Sequence, residues 1–181
     1  LVGVCDGHRG PVSHATSAPT ARFDQARRAV GRLVAVLLER DLDLAIAESL
    51  TGGLASYLVV DQPDSGKVHL GAVVAYESAV KQRVLGVGDG PVVTGRCAQE
   101  MAVGVQRLIG AHCALAFTGV AGPATQEGCP VGTVFIAARA GDRASVLARR
   151  YGGEPDDVRA QAVIDGAELL CSLVAVASPV A

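Results

Sequence analysis

Apolar positions along the chain alternate between a spacing typical of helices and one typical of buried strands. Residues 23–40 repeat apolar side chains three and four apart with arginines on the other face, which predicts an amphipathic helix. Continuous apolar runs within 42–49, 68–78 and 114–119 are too short for helices and predict buried strands. Strands separated by helical segments in this way indicate an α/β fold.

Further predicted elements follow the same alternation. They are three helices, over 51–61, 94–110 and 155–177, a short helix or turn over 79–87, and two strands, over 131–141 and 143–152. The last two strands flank a Gly-Asp pair, which favours a hairpin. Because a hairpin pairs its strands antiparallel, we expect an α/β sandwich with a mixed sheet.

The start of the chain differs in composition from the remainder. Residues 1–22 are rich in Gly, Pro, Ser and Thr without an apolar run, so we expect a disordered leader and not a signal peptide. No repeat or linker divides the remainder, so residues 23–181 are predicted to form one domain. No apolar run approaches the roughly 18 residues of a membrane-spanning helix, so no membrane partner is expected.

Composition excludes several classes of function. A formal net charge of −2 gives no basic surface for nucleic acid. Five cysteines without a C-x-x-C pair argue against a disulfide framework and a zinc site, and favour reduced thiols in a cytoplasmic protein. We therefore expect no metal. The Val-rich chain with few charges makes a homo-oligomer plausible.

The first candidate for chemistry is Ser49, which follows a predicted strand and precedes a Thr-Gly-Gly turn. Ligands of open α/β sheets bind at this edge, and the amides of a helix beginning there can bind an anion or an oxyanion. A hydroxyl of Ser49 or Thr51 that merely caps the helix explains the same residues, and spacing alone favours that alternative.

A second candidate is the pair Tyr76 and Lys81, which lies at the end of the next predicted strand. Lys81 is one of only two lysines beside 14 arginines, a weak indication that amine chemistry is needed there. Burial can lower the pKa of a lysine enough for it to act as the base for a serine. Spacing alone favours a solvated charge at Lys81 instead.

The third candidate is a loop rich in glycine and proline that begins at Thr118. A backbone of this kind can approach a phosphate closely, and the Thr118 hydroxyl can donate a hydrogen bond to it. An ordinary Gly/Pro turn explains the composition equally well. The segment 86–91 superficially suggests a dinucleotide fingerprint, but it lacks the strand before and the helix after that such a site needs.

Taken together and in order, these signals resemble the CinA C-terminal domain family. The resemblance covers roughly residues 25–175 and rests on five motifs: AESLTGG, GAVVAY with Lys81 five residues after its tyrosine, GPVVT before a helix carrying EMAVG, TGVAGP, and PVGTV. It implies a three-layer α/β/α sandwich with a mixed sheet. It also implies an amidohydrolase that converts nicotinamide mononucleotide (NMN) to nicotinate mononucleotide and ammonia, without a cofactor.

The resemblance further implies roles for individual residues. Ser49 matches the nucleophile, Lys81 the base and Tyr76 the residue that assists it. The residues that match substrate-binding positions are Thr51, Gly52, Gly53, Thr118, Gly119, Ala121, Gly122 and Arg159. These positions imply that the small-molecule partner is NMN.

Two positions depart from the family pattern. Members commonly read Tyr-Ser-Asn before the lysine, where this chain reads Tyr76-Glu77-Ser78. An arginine that is usual just before the last helix aligns with Pro155. These departures motivate an alternative function, a nucleotide-binding module of the same fold with weak or no catalytic activity.

Overall fold

The computed structural model describes residues 21–175 of the protein. The strands are β1 (Leu44–Glu48), β2 (His69–Val74), β3 (Cys113–Gly119), β4 (Thr133–Ala140) and β5 (Arg143–Arg150). The helices are α1 (Ala21–Glu39), α2 (Leu54–Val60), α3 (Ser78–Leu85), α4 (Gly95–Ile109) and α5 (Pro155–Ala175), with a single 3₁₀ turn at Ser65–Lys67. Helix α1 thus includes the last two residues of the expected leader, and the rest of that leader lies outside the described residues.

The strands form one mixed sheet in the order β2-β1-β3-β4-β5. Strands β2 and β3 both run parallel to β1, whereas β4 is antiparallel to β3 and to β5. The predicted hairpin is confirmed, because β4 and β5 pair along their whole length on either side of the Gly141-Asp142 turn. The mixed sheet expected from that hairpin is therefore confirmed as well.

Helices cover both faces of the sheet and give the three-layer α/β/α sandwich. Helices α1, α2 and α5 pack on one face, where Leu37, Phe117 and Leu170 are fully buried. Helices α3 and α4 cover the other face, with Met101 in its core. Along β3 the side chains alternate between these two cores, which is why its sequence reads as one continuous apolar run.

A glycine in α4 sets how closely α3 can approach. A Cβ atom at Gly104 would overlap the main chain of Leu85, the last residue of α3. The absent side chain lets α3, which carries the buried Lys81, lie directly against α4. The three parallel strands end at the same edge of the sheet, next to this helix.

Helix α2 is tied to the outer strand β2 by a polar contact. The Ser56 hydroxyl and His69 Nε2 lie 2.8 Å apart, at the start of β2, where Leu70 bulges out of register with β1. Burial lowers the pKa of His69 from its ordinary 6.5, because the imidazolium form loses its hydration. The nearby Glu48 carboxylate acts in the opposite direction but is a smaller influence.

This contact predicts an acid-sensitive stability. Unfolded His69 takes up a proton near pH 6.5 while the folded residue resists it, so the free energy of unfolding should fall as pH drops through that range. Urea denaturation of wild type and His69→Gln at pH 7.5 and 5.5 measures this. We expect the variant to lose less stability on acidification than wild type; an equal loss in both proteins contradicts the assignment.

Candidate active site

A cavity of about 380 Å³ opens at the edge where the parallel strands end. Its wall combines the residues just after β1, β2 and β3 with one residue of α5. The sequence-predicted site residues that line it are Ser49, Tyr76, Gly119, Ala121, Gly122 and Arg159. The structure therefore brings these six positions together from four separate parts of the chain.

Ser49 is the first residue after β1, and its main chain is held on both sides. Its N–H donates to the Phe117 carbonyl of β3 at 3.0 Å, and the carbonyl of the preceding residue accepts from Ala75 after β2 at 2.7 Å. The side chain is 7% exposed and lines the cavity. Its hydroxyl makes no hydrogen bond with any residue in the described part of the chain, so it is available to a ligand.

The N-terminus of α2 is filled by a buried carboxylate that the sequence analysis missed. Glu48 is completely buried at the end of β1, and its two carboxylate oxygens accept from the amides of Gly53, Ala55 and Ser56 at 2.9–3.1 Å. These are the amides that a helix N-terminus would otherwise offer to an external anion. The expectation that an anion binds at this helix end is wrong, because the protein supplies its own.

The capping alternative is also wrong. Helix α2 begins at Leu54, its N-cap is Gly53 in the left-handed conformation, and neither the Ser49 nor the Thr51 hydroxyl makes a capping hydrogen bond. Gly52 N–H donates to the Ser49 carbonyl, and the buried Thr51 hydroxyl has no hydrogen-bond partner within the described chain. Thr51, Gly52 and Gly53 thus shape the turn behind Ser49 but do not line the cavity.

Lys81 is buried and not a solvated charge, so the alternative favoured by spacing alone is wrong. The residue is 1% exposed, and its Nζ donates to the Tyr76 carbonyl at 2.7 Å. Burial lowers the pKa of Lys81, although the nearby Cys97, Glu77 and Glu127 oppose this shift. This shift is in the direction that a general base requires.

The amine does not contact the nucleophile directly. Within residues 21–175, no hydrogen bond joins Lys81 Nζ to the Ser49 hydroxyl. Such contacts are often long in unliganded enzymes and shorten when substrate binds. Tyr76 lies in both environments, because its carbonyl accepts a hydrogen bond from the Lys81 amine and the residue lines the same cavity as Ser49.

The loop after β3 is anchored from behind by residues outside the cavity wall. Thr118 is buried, and its hydroxyl donates to the Val92 carbonyl at 2.7 Å, so its proton is not directed at a ligand. The Glu127 carboxylate accepts from the amides of Val92 and Val93 at 2.9 Å. Thr118 and Glu127 together fix the loop that carries Gly119, a role for Thr118 that differs from the expected phosphate contact.

Arg159 supplies the positive charge of the cavity. Its Nε donates to the Leu50 carbonyl at 3.0 Å, and its Nη1 donates to the Asp156 carboxylate at 2.7 Å. The first bond fixes the guanidinium next to Leu50, the residue after Ser49. The predicted position of Arg159 in the first turns of the last helix is thus correct.

Some features of the site left a sequence signal and others did not. Glu48 was readable as an acidic residue inside an otherwise apolar strand run, which indicates a buried carboxylate with committed partners. Glu127 lies in a polar loop and gave no such signal. Within residues 21–175, no group of His, Cys, Asp or Glu is arranged to hold a metal ion, and no helix is long and apolar enough to cross a membrane.

Comparisons with known proteins agree on one family. Residues 26–174 match the family model described as the CinA C-terminal domain. A CinA-like protein of Frankia casuarinae is 37% identical over 150 residues, covering 80% of this chain and 35% of its own length. A protein of Bacillus subtilis named as competence-damage inducible is 38% identical over 141 residues, which cover 75% of this chain and 34% of its own. The chain thus spans about a third of the length of these curated relatives.

Solved structures show the same similarity in three dimensions. A CinA superfamily protein from Klebsiella pneumoniae superimposes with a TM-score of 0.80 at 31% identity, covering 83% of this chain and 98% of that one. The competence/damage inducible protein CihA from Agrobacterium tumefaciens gives a TM-score of 0.78 at 29% identity. That alignment covers 82% of this chain and 95% of the other.

The Glu48 network predicts a large loss of stability when the carboxylate is removed. Glu48→Ala leaves three amides unpaired and should lower the free energy of unfolding by about 3–5 kcal/mol. Glu48→Gln keeps one acceptor oxygen but turns its NH₂ group toward one of the three backbone N–H groups. It should lower the free energy of unfolding by about 2 kcal/mol. Urea denaturation followed by circular dichroism gives these values.

The matched control is Glu39→Gln, which removes the same charge from the exposed end of α1. It should change stability by less than about 0.5 kcal/mol. If Glu48→Ala is as stable as this control, Glu48 does not organise α2.

Proposed function

Since the chain belongs to the CinA C-terminal domain family, we propose that it is an amidohydrolase that converts NMN to nicotinate mononucleotide and ammonia. The specific reaction is inferred from the resemblance of the ordered sequence motifs to those of that family. The observation that carries it here is one cavity that exposes an unpaired Ser49 hydroxyl beside the residue that holds a buried lysine. A hydroxyl and a neutral amine are the nucleophile and base that amide hydrolysis needs.

In the proposed reaction, neutral Lys81 takes the proton of Ser49 as Oγ attacks the carboxamide carbon. The carbonyl π electrons move to oxygen and form a tetrahedral oxyanion. The N–H of Leu50 belongs to a residue of the cavity wall, has no acceptor in the described chain and would donate to this oxygen. One such donor contributes about 3–4 kcal/mol to the transition state in comparable enzymes.

Collapse of the tetrahedral intermediate breaks the C–N bond. Lys81 returns its proton to the leaving nitrogen, so ammonia departs and an ester joins the nicotinoyl group to Ser49 Oγ. A water molecule then attacks this ester, Lys81 accepts the water proton, and Ser49 regains it as nicotinate mononucleotide leaves. Lys81 is neutral again at the end, so the cycle balances in protons and electrons.

The remaining cavity residues would hold the nucleotide. Arg159 lines the wall, and its fixed guanidinium would face the phosphate. Gly119, Ala121 and Gly122 also line the cavity, and their main chain could approach the ligand closely because their side chains are small or absent. Thr118 and the Thr51–Gly53 turn do not line the cavity and would hold the backbone of the lining residues in place.

A second candidate function is nucleotide binding with weak or no catalysis. The specific observation in its favour is that Lys81 donates to the Tyr76 carbonyl and not to Ser49. In a protein that only binds the nucleotide, a lysine whose amine donates to this carbonyl would have the single role of positioning the main chain of the cavity wall. The two candidates differ in turnover, while both require that NMN binds.

The matched pair of lysines provides the test of this function. Ser49→Ala and Lys81→Met should each lower the rate of ammonia release from NMN by at least about a thousandfold, because each removes an essential partner. Lys67→Met removes the other lysine, which is exposed on the 3₁₀ turn, and should keep full activity. Ammonia release and chromatography of nicotinate mononucleotide give the rates.

Two results would redirect the assignment. Full turnover in Ser49→Ala contradicts the nucleophile outright. Wild type that releases no ammonia but melts at a higher temperature with NMN supports the binding module instead.

The lowered pKa of Lys81 predicts the shape of the pH profile. A base acts when neutral, so kcat/KM should rise with pH and level off below the ordinary lysine value of 10.5. Cys97 beside it has its pKa raised to about 11 by burial, so its thiol stays neutral through this limb. Rates measured from pH 6 to 11 check this; a limb with an apparent pKa of 10.5 or higher shows that a lysine with a lowered pKa is not the base.

A further inference from the structure

Residues 121–131, here called the flap, form part of the cavity wall. At the base of the flap, Val120 N–H donates to the Thr133 carbonyl and Gly132 N–H donates to the Val120 carbonyl, each at 2.8 Å. The flap residues that line the cavity are Ala121, Gly122, Pro123, Ala124, Thr125 and Gln126. Within the described chain, residues 121–125 make no main-chain hydrogen bond. Main-chain hydrogen bonds therefore support this wall at its ends and not along its length.

The tip of the flap is a two-residue turn at Glu127 and Gly128. Gln126 and Cys129 exchange main-chain hydrogen bonds of 3.3 and 2.8 Å across it, and the two central residues have positive φ angles of 53° and 74°. Tight hairpin turns with two positive φ angles favour Asn, Asp or Gly at the first position, because other side chains are disfavoured there. Glutamate is unusual at this position, which points to a contact made by its side chain.

The Glu127 carboxylate joins the tip of the flap to the segment just before α4. One oxygen accepts from the amides of Val92 and Val93 at 2.9 Å, and the other accepts from Val92 at 3.1 Å. The Val92 carbonyl is held separately by the Thr118 hydroxyl of β3. The carboxylate therefore fastens the tip to a segment that β3 already holds. It is also near enough to the Lys81 amine to raise the pKa of that group, so the fastened tip lies toward the active site.

We propose that the flap opens to admit and release the nucleotide, and that Glu127 is the latch that holds it closed over the bound ligand. The inference deepens the proposed function, on which it rests for the identity of the ligand. Residues 123–128 are all exposed, so no element of the described chain covers the flap and prevents its opening. Glu127 is a positioning residue, because it acts on the ligand through the flap. Closure of such a segment completes the site and excludes water from it.

A static contact is the alternative to a latch. The amides of Val92 and Val93 belong to buried residues, and Glu127 would then serve only to satisfy them. The two alternatives differ in how these amides exchange with solvent. A latch that opens exposes them while the core stays folded, whereas a static contact exposes them only when the whole domain unfolds.

Hydrogen exchange of the wild-type protein, followed by NMR at several low urea concentrations, separates the two. We expect the Val92 and Val93 amides to exchange at a rate that urea hardly changes, because opening the flap exposes little surface. The amide of Phe117, a fully buried residue of β3, provides the reference for global unfolding, and its exchange should accelerate with urea. If Val92 and Val93 exchange with the same urea dependence as Phe117, the inference is overturned.

Kinetics of NMN hydrolysis show whether the flap acts on the ligand. Glu127→Gly removes the carboxylate but suits the positive φ angle, so the turn itself is kept. We expect KM for NMN to rise about tenfold, because the closed flap is less populated without its latch. The value of kcat should change by less than about twofold, because bound NMN then holds the flap closed. Glu39→Gln, which changes an exposed carboxylate at the end of α1, should alter neither constant.

The outcomes distinguish this inference from the proposed function. An unchanged KM in Glu127→Gly, or a fall in kcat alone, overturns the inference even if wild type hydrolyses NMN. If wild type binds NMN without releasing ammonia, the same rise in the dissociation constant supports the inference, and only the proposed catalysis fails. If wild type does not bind NMN, the proposed function fails. Exchange at Val92 and Val93 that is independent of urea then still supports an opening flap, and exchange that follows Phe117 still overturns it.

Discussion

The buried carboxylate of Glu48 is the constraint on which the site depends. A charge removed completely from water is tolerated only with strong partners, and here three amides at the start of α2 supply them. The bonds fix where α2 begins and so force the chain between β1 and α2 into a tight turn. Ser49 is the first residue of that turn, and its exposure to the cavity follows from how its neighbour is held.

The same constraint decides where a ligand's charges can go. With the N-terminus of α2 occupied from within, an external phosphate has to be held elsewhere, and Arg159 is the one cation among the described cavity residues. Glu77 also lines the cavity, and its carboxylate is near enough to the buried Lys81 amine to raise the pKa of that group. The phosphate of the proposed nucleotide substrate would therefore pair with Arg159.

Much of the fold was predictable because single elements carry strong local patterns. The amphipathic spacing of α1, the capped start of α4 at Thr94 and the alternating hairpin strands were each readable without tertiary information. The burial of Lys81 was not readable, since it results from α3 packing against α4 at a glycine. The predicted start of α2, residue 51, is three residues too early. The amides at the start of this helix are capped by Glu48, a residue of β1, whereas sequence-based capping rules consider only side chains next to the helix.

The proposed mechanism requires a covalent bond between Ser49 and the substrate. Acid quenching of wild type during turnover of NMN, followed by peptide mass spectrometry, detects that bond. We expect the peptide that contains Ser49 to gain the mass of NMN minus ammonia, and this gain to be absent from Ser49→Ala. Continuous ammonia release without any adduct on that peptide, or the same adduct in Ser49→Ala, would show that Ser49 is not the nucleophile.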